Sequence, residues 1–338
     1  MNASLRISLP FAEHVLQVDT KRDLRRKSES NVPNGSQLRA PHFNASMYPN
    51  GMMHVWSGLL LRAENEAQLA AVIGHEMGHY ARRHGLQRFK DRKNKQDFLA
   101  FLQLGLAAGG VSEFGDIAYY ATLGSMYSFS RDNEREADAI GVRWMASAGY
   151  DPLEAPRVWQ NVIRETELAG GDASRSFFFS THPPPSERTE TLSAFAQYMH
   201  DTEELRGETG RDRYARIVGP WRRLFLEDEV QTKSPRDALA LISTLKEGNM
   251  SAGDLLFYEG EVYRLRDDEG DLERALSLYQ EAIEHRTPPA SIHRSLGLVL
   301  MKLGRQSAAK VHFKRYLSEK PDAQDSKMIE FTLQQLES

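Results

Sequence analysis

The stretch Asn65-Glu66-Ala67-Gln68-Leu69-Ala70-Ala71-Val72-Ile73-Gly74-His75-Glu76-Met77-Gly78-His79-Tyr80 decides how this chain is read. Leu69, Val72, Ile73 and Tyr80 recur at three-, four- and seven-residue steps, and no proline intervenes before His84. That spacing predicts a helix from about Glu64. Two histidines four apart on a helix are rotated by ~400°, so both rings project from one face about a turn apart. Imidazole nitrogens so placed can meet one zinc ion at ~2.0 to 2.1 Å. Glu76 stands ~100° around from His75 and can reach a water on that metal without binding the metal itself. Gly74 and Gly78 keep the neighbouring positions slim. The H-E-x-x-H pattern alone turns up by chance in roughly a few per cent of chains this long, so its weight comes from the helix that carries it.

A catalytic zinc needs a third protein ligand and one open position. His84 has the chemistry but not the spacing. It follows His79 by five residues, ~140° around, with no glycine to turn the chain back; the plainer reading is a solvated histidine at a helix end. Glu134, in Asn133-Glu134-Arg135-Glu136-Ala137-Asp138, is the better candidate. A helix should begin near Asp132, capped by Ser130 or Asp132, and it places Glu134 and Asp138 on one face. One carboxylate could bind the metal while the other accepts a ring N–H from a ligand histidine and so fixes its tautomer. By itself the acidic cluster would read as a solvated helix start favoured by the macrodipole. The upstream histidines tip the balance.

Working outward, 338 residues suggest about two domains. A net charge of -4 leaves no basic excess for a nucleic-acid partner. The absence of cysteine excludes disulfide scaffolds, cysteine nucleophiles and thiolate zinc sites. No run reaches the ~18 to 20 apolar residues of a membrane span. The nearest, Phe98 to Val111, is interrupted by Gln103 and by Gly105, Gly109 and Gly110. It reads as a buried helix or flap, or as a peripheral membrane contact. Residues 1–20 hold Arg6, Glu13, His14 and Asp19 and no secretory leader, which leaves a cytoplasmic location open.

Residues 1–40 read as a polar N-terminal arm. His42 to Trp56 forms a β-hairpin around Pro49-Asn50-Gly51. Thr181-His182-Pro183-Pro184-Pro185 must be extended, since successive prolines remove amide donors. Residues 206–250 supply a linker and helical connector, 251–325 a pair of helical repeats and 326–338 a C-terminal helix. Ala275, Tyr279 and Ala282 lie 34 residues before Ala309, Phe313 and Tyr316. With Leu296, Gly297, Leu300 and Pro321, this follows the spacing of a tetratricopeptide repeat, in which small residues sit where two helices cross and aromatics fill between them.

His75-Glu76-x-x-His79 followed by Glu134-x-x-x-Asp138 resembles the gluzincin metallopeptidases of the HtpX, CAAX prenyl protease and BepA (β-barrel assembly-enhancing protease) family. Asn44-Ala45 before the hairpin, Gly58-Leu59-Leu60, Asn65 to Ala70, and His182-Pro183 with Arg188 six residues on resemble it too. The likeness covers roughly Asn44 to Leu192, and the repeats extend it towards the BepA type. It implies an α+β fold: a mostly helical zincin-type metalloprotease domain with a small sheet over residues 41–205, followed by an all-α repeat domain. It also implies one zinc per chain on His75, His79 and Glu134, with Asp138 behind a ligand. Protein substrates follow, with a possible protein partner on the repeats. The location implied is the bacterial periplasm or cell envelope, and the role is quality control of misfolded or stalled envelope proteins.

The chemistry expected is hydrolysis of a peptide bond, with Glu76 taking a proton from a metal-activated water and returning it to the leaving amine. His182 is the candidate extra donor for the oxyanion, with Arg188 positioning or assisting it. The resemblance gives His182 a second reading, as an extra ligand that folds over the zinc and holds the resting enzyme closed. A substrate strand is expected along an edge near Met52 to Trp56. A different class also stays open: a repeat-based chaperone or adaptor whose protease domain is idle.

Overall fold

The computed structural model describes residues 4–9, 12–19, 36–38, 41–48, 51–91, 93, 129–171, 178, 182, 186–202, 207–248, 250–285 and 289–337. The chain divides into two compact units, Met1–Pro220 and Trp221–Ser338. Phe98–Val111, with any membrane contact it makes, lies outside the described residues, as do Thr181 and the three prolines after His182. Among the described residues no helix is long and apolar enough to cross a membrane.

The first unit is a small five-stranded sheet beside a set of helices. Its strands are β1 (Ser4–Leu9), β2 (Ala12–Asp19), β3 (Ser36–Leu38), β4 (Ala45–Met47) and β5 (Met53–Trp56), in the order β1-β2-β3-β5-β4. The hairpin expected around Gly51 is β4–β5, antiparallel with Ala45 opposite Val55 and Met47 opposite Met53. Gly51 takes the positive φ of 84° that this turn requires.

Two expectations change here. Residues read as a polar arm supply β1, β2 and β3; the alternation Leu5, Ile7, Leu9 is the strand signal that reading passed over. With β3 on one side and β4 on the other, β5 is interior to the sheet, whose edges are β1 and β4.

The helices of this unit are α1 (Ser57–Arg62), α2 (Glu66–Ala81), α3 (Arg131–Ser147), α4 (Glu154–Leu168), α5 (Ser186–Thr202) and the start of α6 (Arg211–Thr232). α2 is buried along nearly its whole length, so its start has to be satisfied internally. The Asn65 side chain caps it, accepting from the Gln68 amide at 2.8 Å. Asn65 and Gln68 then donate to Glu154 Oε2 at 2.9 and 2.8 Å. Glu66 accepts from Tyr150 Oη at 3.1 Å and from Arg213 at 2.7 Å. Arg62 makes a two-pronged bond to Glu165 at 2.6 and 2.7 Å. These polar groups tie α2 to α4 and to the start of α6, and α1 to α4, and so hold the helix that presents the histidines.

α3 crosses α2 at very close range. A Cβ on Gly74 would lie 3.0 Å from Gly141 Cα, and one on Gly141 would lie 2.8 Å from the His75 amide nitrogen. A Cβ on Gly78 would stand 3.0 Å from the Ala137 carbonyl oxygen. Glycine at these sites lets the two backbones touch.

The second unit is helical: the end of α6, then α7 (Pro235–Leu245), α8 (Ala252–Arg266), α9 (Asp271–Glu284), α10 (Ile292–Lys302), α11 (Gln306–Glu319) and α12 (Ser326–Glu337). α8 packs on α9 and α10 on α11. Gly260 faces the Tyr279 ring and Gly297 the Phe313 ring, while Ala275, Ala282 and Ala309 are fully buried.

Candidate metal centre

Ser130 caps α3, its hydroxyl accepting from the Asn133 amide at 3.2 Å, and this sets the phase of the helix. Glu134 and Asp138 then face α2 across the glycine crossing. The histidines four apart on α2 answer them. His75, His79, Glu134 and His182 each offer one ligand atom, all within 4.8 Å of one another, and all four are buried.

The separations fit one ion. Four ligands at ~2.0 to 2.1 Å from a tetrahedral zinc lie roughly 3.3 Å apart. His75 Nε2 is 3.1 Å from His79 Nε2 and 3.3 Å from His182 Nδ1. Glu134 Oε1 is 3.1 Å from His182 Nδ1 and 3.3 Å from His79 Nε2, and Glu134 Oε2 is 3.7 Å from His75 Nε2. Nitrogen and carboxylate donors with no sulfur match a zinc peptidase set.

Asp138 Oδ1 lies 2.9 Å from His75 Nδ1. A carboxylate only accepts, so the proton sits on Nδ1 and the Nε2 lone pair faces the other donors. Glu76 is buried beside the cluster. Its Oε1 lacks a hydrogen-bond partner and stands 3.6 Å from His182 Nε2.

Burial raises the Glu76 pKa, opposed in part by His182, by His75 and by the Met47 backbone amide. Burial also works against ionisation of Glu134, but its contacts with the His182 and His79 rings outweigh it and hold that carboxyl below the usual range. Burial pushes His79 down to about 3, so its ring is neutral and able to bind a metal at neutral pH.

Aromatic rings wall the site. Phe129 stacks on His79 with centroids 4.1 Å apart, and Phe178 stacks on His182 at 4.3 Å, with Trp159 behind it at 5.1 Å. Neither Phe178 nor Trp159 carried a signal in the sequence beyond hydrophobicity.

Three of the expected ligands and Asp138 are thus brought together, with His182 among them and Glu76 alongside. The side chain of Arg188, in the first turn of α5, lies outside the described residues. His84 is not solvated: it is 1% exposed and lies behind His79. The rotation that set it aside assumes one continuous helix. Instead α2 ends at Ala81 and Arg83 takes a positive φ of 56°, which does the turning a glycine would otherwise do.

Residues 17–196, more than half of the chain, match the family described as peptidase family M48. The chain belongs to peptidase family M48. Among curated relatives it is 37% identical over 156 residues to the mitochondrial metalloendopeptidase OMA1 of Arabidopsis thaliana, covering 46% of this chain and 30% of that one. It is 32% identical over 178 residues to the OMA1 of Schizosaccharomyces pombe, covering 51% and 50%. It is 29% identical over 151 residues to the beta-barrel assembly-enhancing protease of Escherichia coli K12, covering 43% and 30%. The chain spans 30% to 50% of the length of these relatives. M48 metalloproteases depend on a metal, and the buried histidine and glutamate group of this member could bind one.

Proposed function

We propose that this M48 chain is a zinc-dependent endopeptidase, with His75, His79 and Glu134 holding one zinc and Glu76 as general base. The observation that carries the reading is the set of four buried donors within 4.8 Å of one another, with a buried carboxylate beside it. Bound there, zinc would acidify a water and polarise a peptide carbonyl.

The protein's own residues do the rest. Glu76, its basicity raised by burial, takes the proton and delivers it to the leaving amine. Asp138 holds His75 in the ligating tautomer. The Met47 amide, at the end of edge strand β4, lies against Glu76, so a substrate extended along β4 would pass the base.

His182 offers a fourth donor beside the other three, and a catalytic zinc held there would need one position left open for water. The arrangement supports the reading of His182 as a removable plug, clamped by Phe178, rather than an oxyanion donor in the resting state. Arg188 is proposed to position the His182 segment.

The relatives named for mitochondrial metalloendopeptidase and beta-barrel assembly-enhancing activity support a role in protein quality control. The proposed substrates are misfolded or stalled envelope proteins, with the repeat-like helices of the second unit recruiting them or a partner. Casein cleavage with zinc quantified tests the reading. The parent should cut, Glu76→Gln should retain zinc and lose ~10²- to 10⁴-fold in rate, and His182→Ala should gain. If all three hold zinc and none cuts, the chaperone or adaptor reading replaces the enzyme.

A further inference from the structure

The two histidines of α2 are supported differently. His75 has a carboxylate directly behind it, Asp138 at 2.9 Å. Behind His79 stands another ring: His84 Nδ1 lies 3.0 Å from His79 Nδ1, and His84 Nε2 lies 3.0 Å from Glu136 Oε2. Glu136 is in turn held on its other oxygen by Arg82, whose Nε donates at 2.6 Å. Metal binding by His79 sets the direction in which this chain of hydrogen bonds has to run. The Glu136 carboxylate can only accept, so His84 Nε2 donates to it, and for His79 to offer its Nε2 lone pair to a metal its Nδ1 proton needs an acceptor, which His84 Nδ1 is placed to be. With Nδ1 donating to His84, the His79 Nε2 lone pair faces His75 Nε2 and Glu134 Oε1 at 3.1 and 3.3 Å.

We infer that Glu136 and His84 form a relay that fixes the tautomer and aim of His79 for metal binding, as Asp138 does for His75, with Arg82 anchoring its outer end. The inference rests on the zinc reading above. Two features independent of the hydrogen bonds point the same way. His84 is fully buried although it follows the helix end. The turn that returns it over His79 places Arg83, a residue with a Cβ, in the left-handed region at φ 56°. Such conformations persist where the surroundings demand them. His84 and Glu136 are positioning residues: neither reaches the four donor atoms.

The test uses the full chain, with the zinc dissociation constant read by chelator competition and the thermal midpoint of the metal-free protein read alongside. His84→Phe keeps a flat ring and removes the acceptor, and the dissociation constant should rise ~10- to 100-fold. His84→Asn, which can set an oxygen near the position of Nδ1, should recover most of that loss. Glu136→Ala, on the solvent side, should weaken zinc in the same direction without moving the metal-free midpoint. The relay is overturned if Phe and Asn at position 84 weaken zinc equally, which is the signature of packing alone. It is overturned as well if Glu136→Ala leaves the constant within about twofold of the parent, a result that decides the matter even where His84→Phe does not fold. A parent that binds no zinc would instead remove the metal reading, and the relay would fall with it.

Discussion

The α2–α3 crossing and the helix pairs of the second unit both rely on glycine at close approach, but they spend the space differently. At Gly260 and Gly297 the neighbour is an aromatic ring, Tyr279 or Phe313, and the glycine makes room for apolar filling. At Gly74 and Gly141 the neighbour is backbone, so the helices meet along their main chains and polar side chains flank the contact. His75 and His79 on one helix and Glu134 and Asp138 on the other can then reach across with short side chains. One solution stabilises a core; the other brings ligands from two helices within the reach of a single ion.

The largest effect should come from putting a side chain into the crossing. Gly141→Val drives its branched side chain into the His75 backbone, which has no flexible end to yield. It should abolish zinc retention and destabilise the first unit by ~1 to 3 kcal/mol, as read by metal analysis and thermal melting. Gly297→Val, against the Phe313 ring, should destabilise the second unit by ~1 to 3 kcal/mol and leave zinc content at the parent level. If both variants lose zinc alike, the contrast between the regions is wrong.

Acid should weaken both units, through different buried histidines in each. His79 is neutral in the fold down to about 3, against an ordinary value of 6.5, because burial disfavours its charged form. As pH falls below 6.5 the unfolded chain takes up a proton that the native site refuses. Stability present above that value is therefore lost on acidification, by up to ~1.4 kcal/mol per pH unit from this group. Burial also lowers His293 and His312, so the second unit should weaken in acid too. Saturating zinc should raise the melting temperature of the first unit at pH 7 and leave that of the second where it was. Smallest of all, Arg83→Gly should be tolerated, since glycine adopts its φ freely, while Arg83→Val should cost ~1 to 2 kcal/mol. Thermal melts of the two variants check this.

The sequence carried much of this site because its strongest signals are local. Four-residue spacings in His75–His79 and Glu134–Asp138 fix which side chains share a helix face, and Ser130 is one of the two caps the sequence offers for the second of these helices. The signals that failed are non-local or depend on one dihedral angle. His84 was misplaced because the rotation of an ideal helix was carried through Arg83, where the chain leaves the helix. Glu136 is 52 residues from His84, and nothing in its own neighbourhood marks it as that histidine's partner. Gly141 reads as an ordinary glycine until the backbone of Gly74 is seen against it. The sequence points to an edge near Met52 to Trp56 because β3, three residues long, has no pattern of its own.

The most direct test of the account is the zinc X-ray absorption spectrum and stoichiometry of the full chain beside Glu134→Ala. The account predicts one zinc per chain with nitrogen and oxygen neighbours at ~2.0 to 2.2 Å, lost or greatly weakened in the variant. Zinc held equally well without the Glu134 carboxylate, or a spectrum with oxygen neighbours alone, would contradict it.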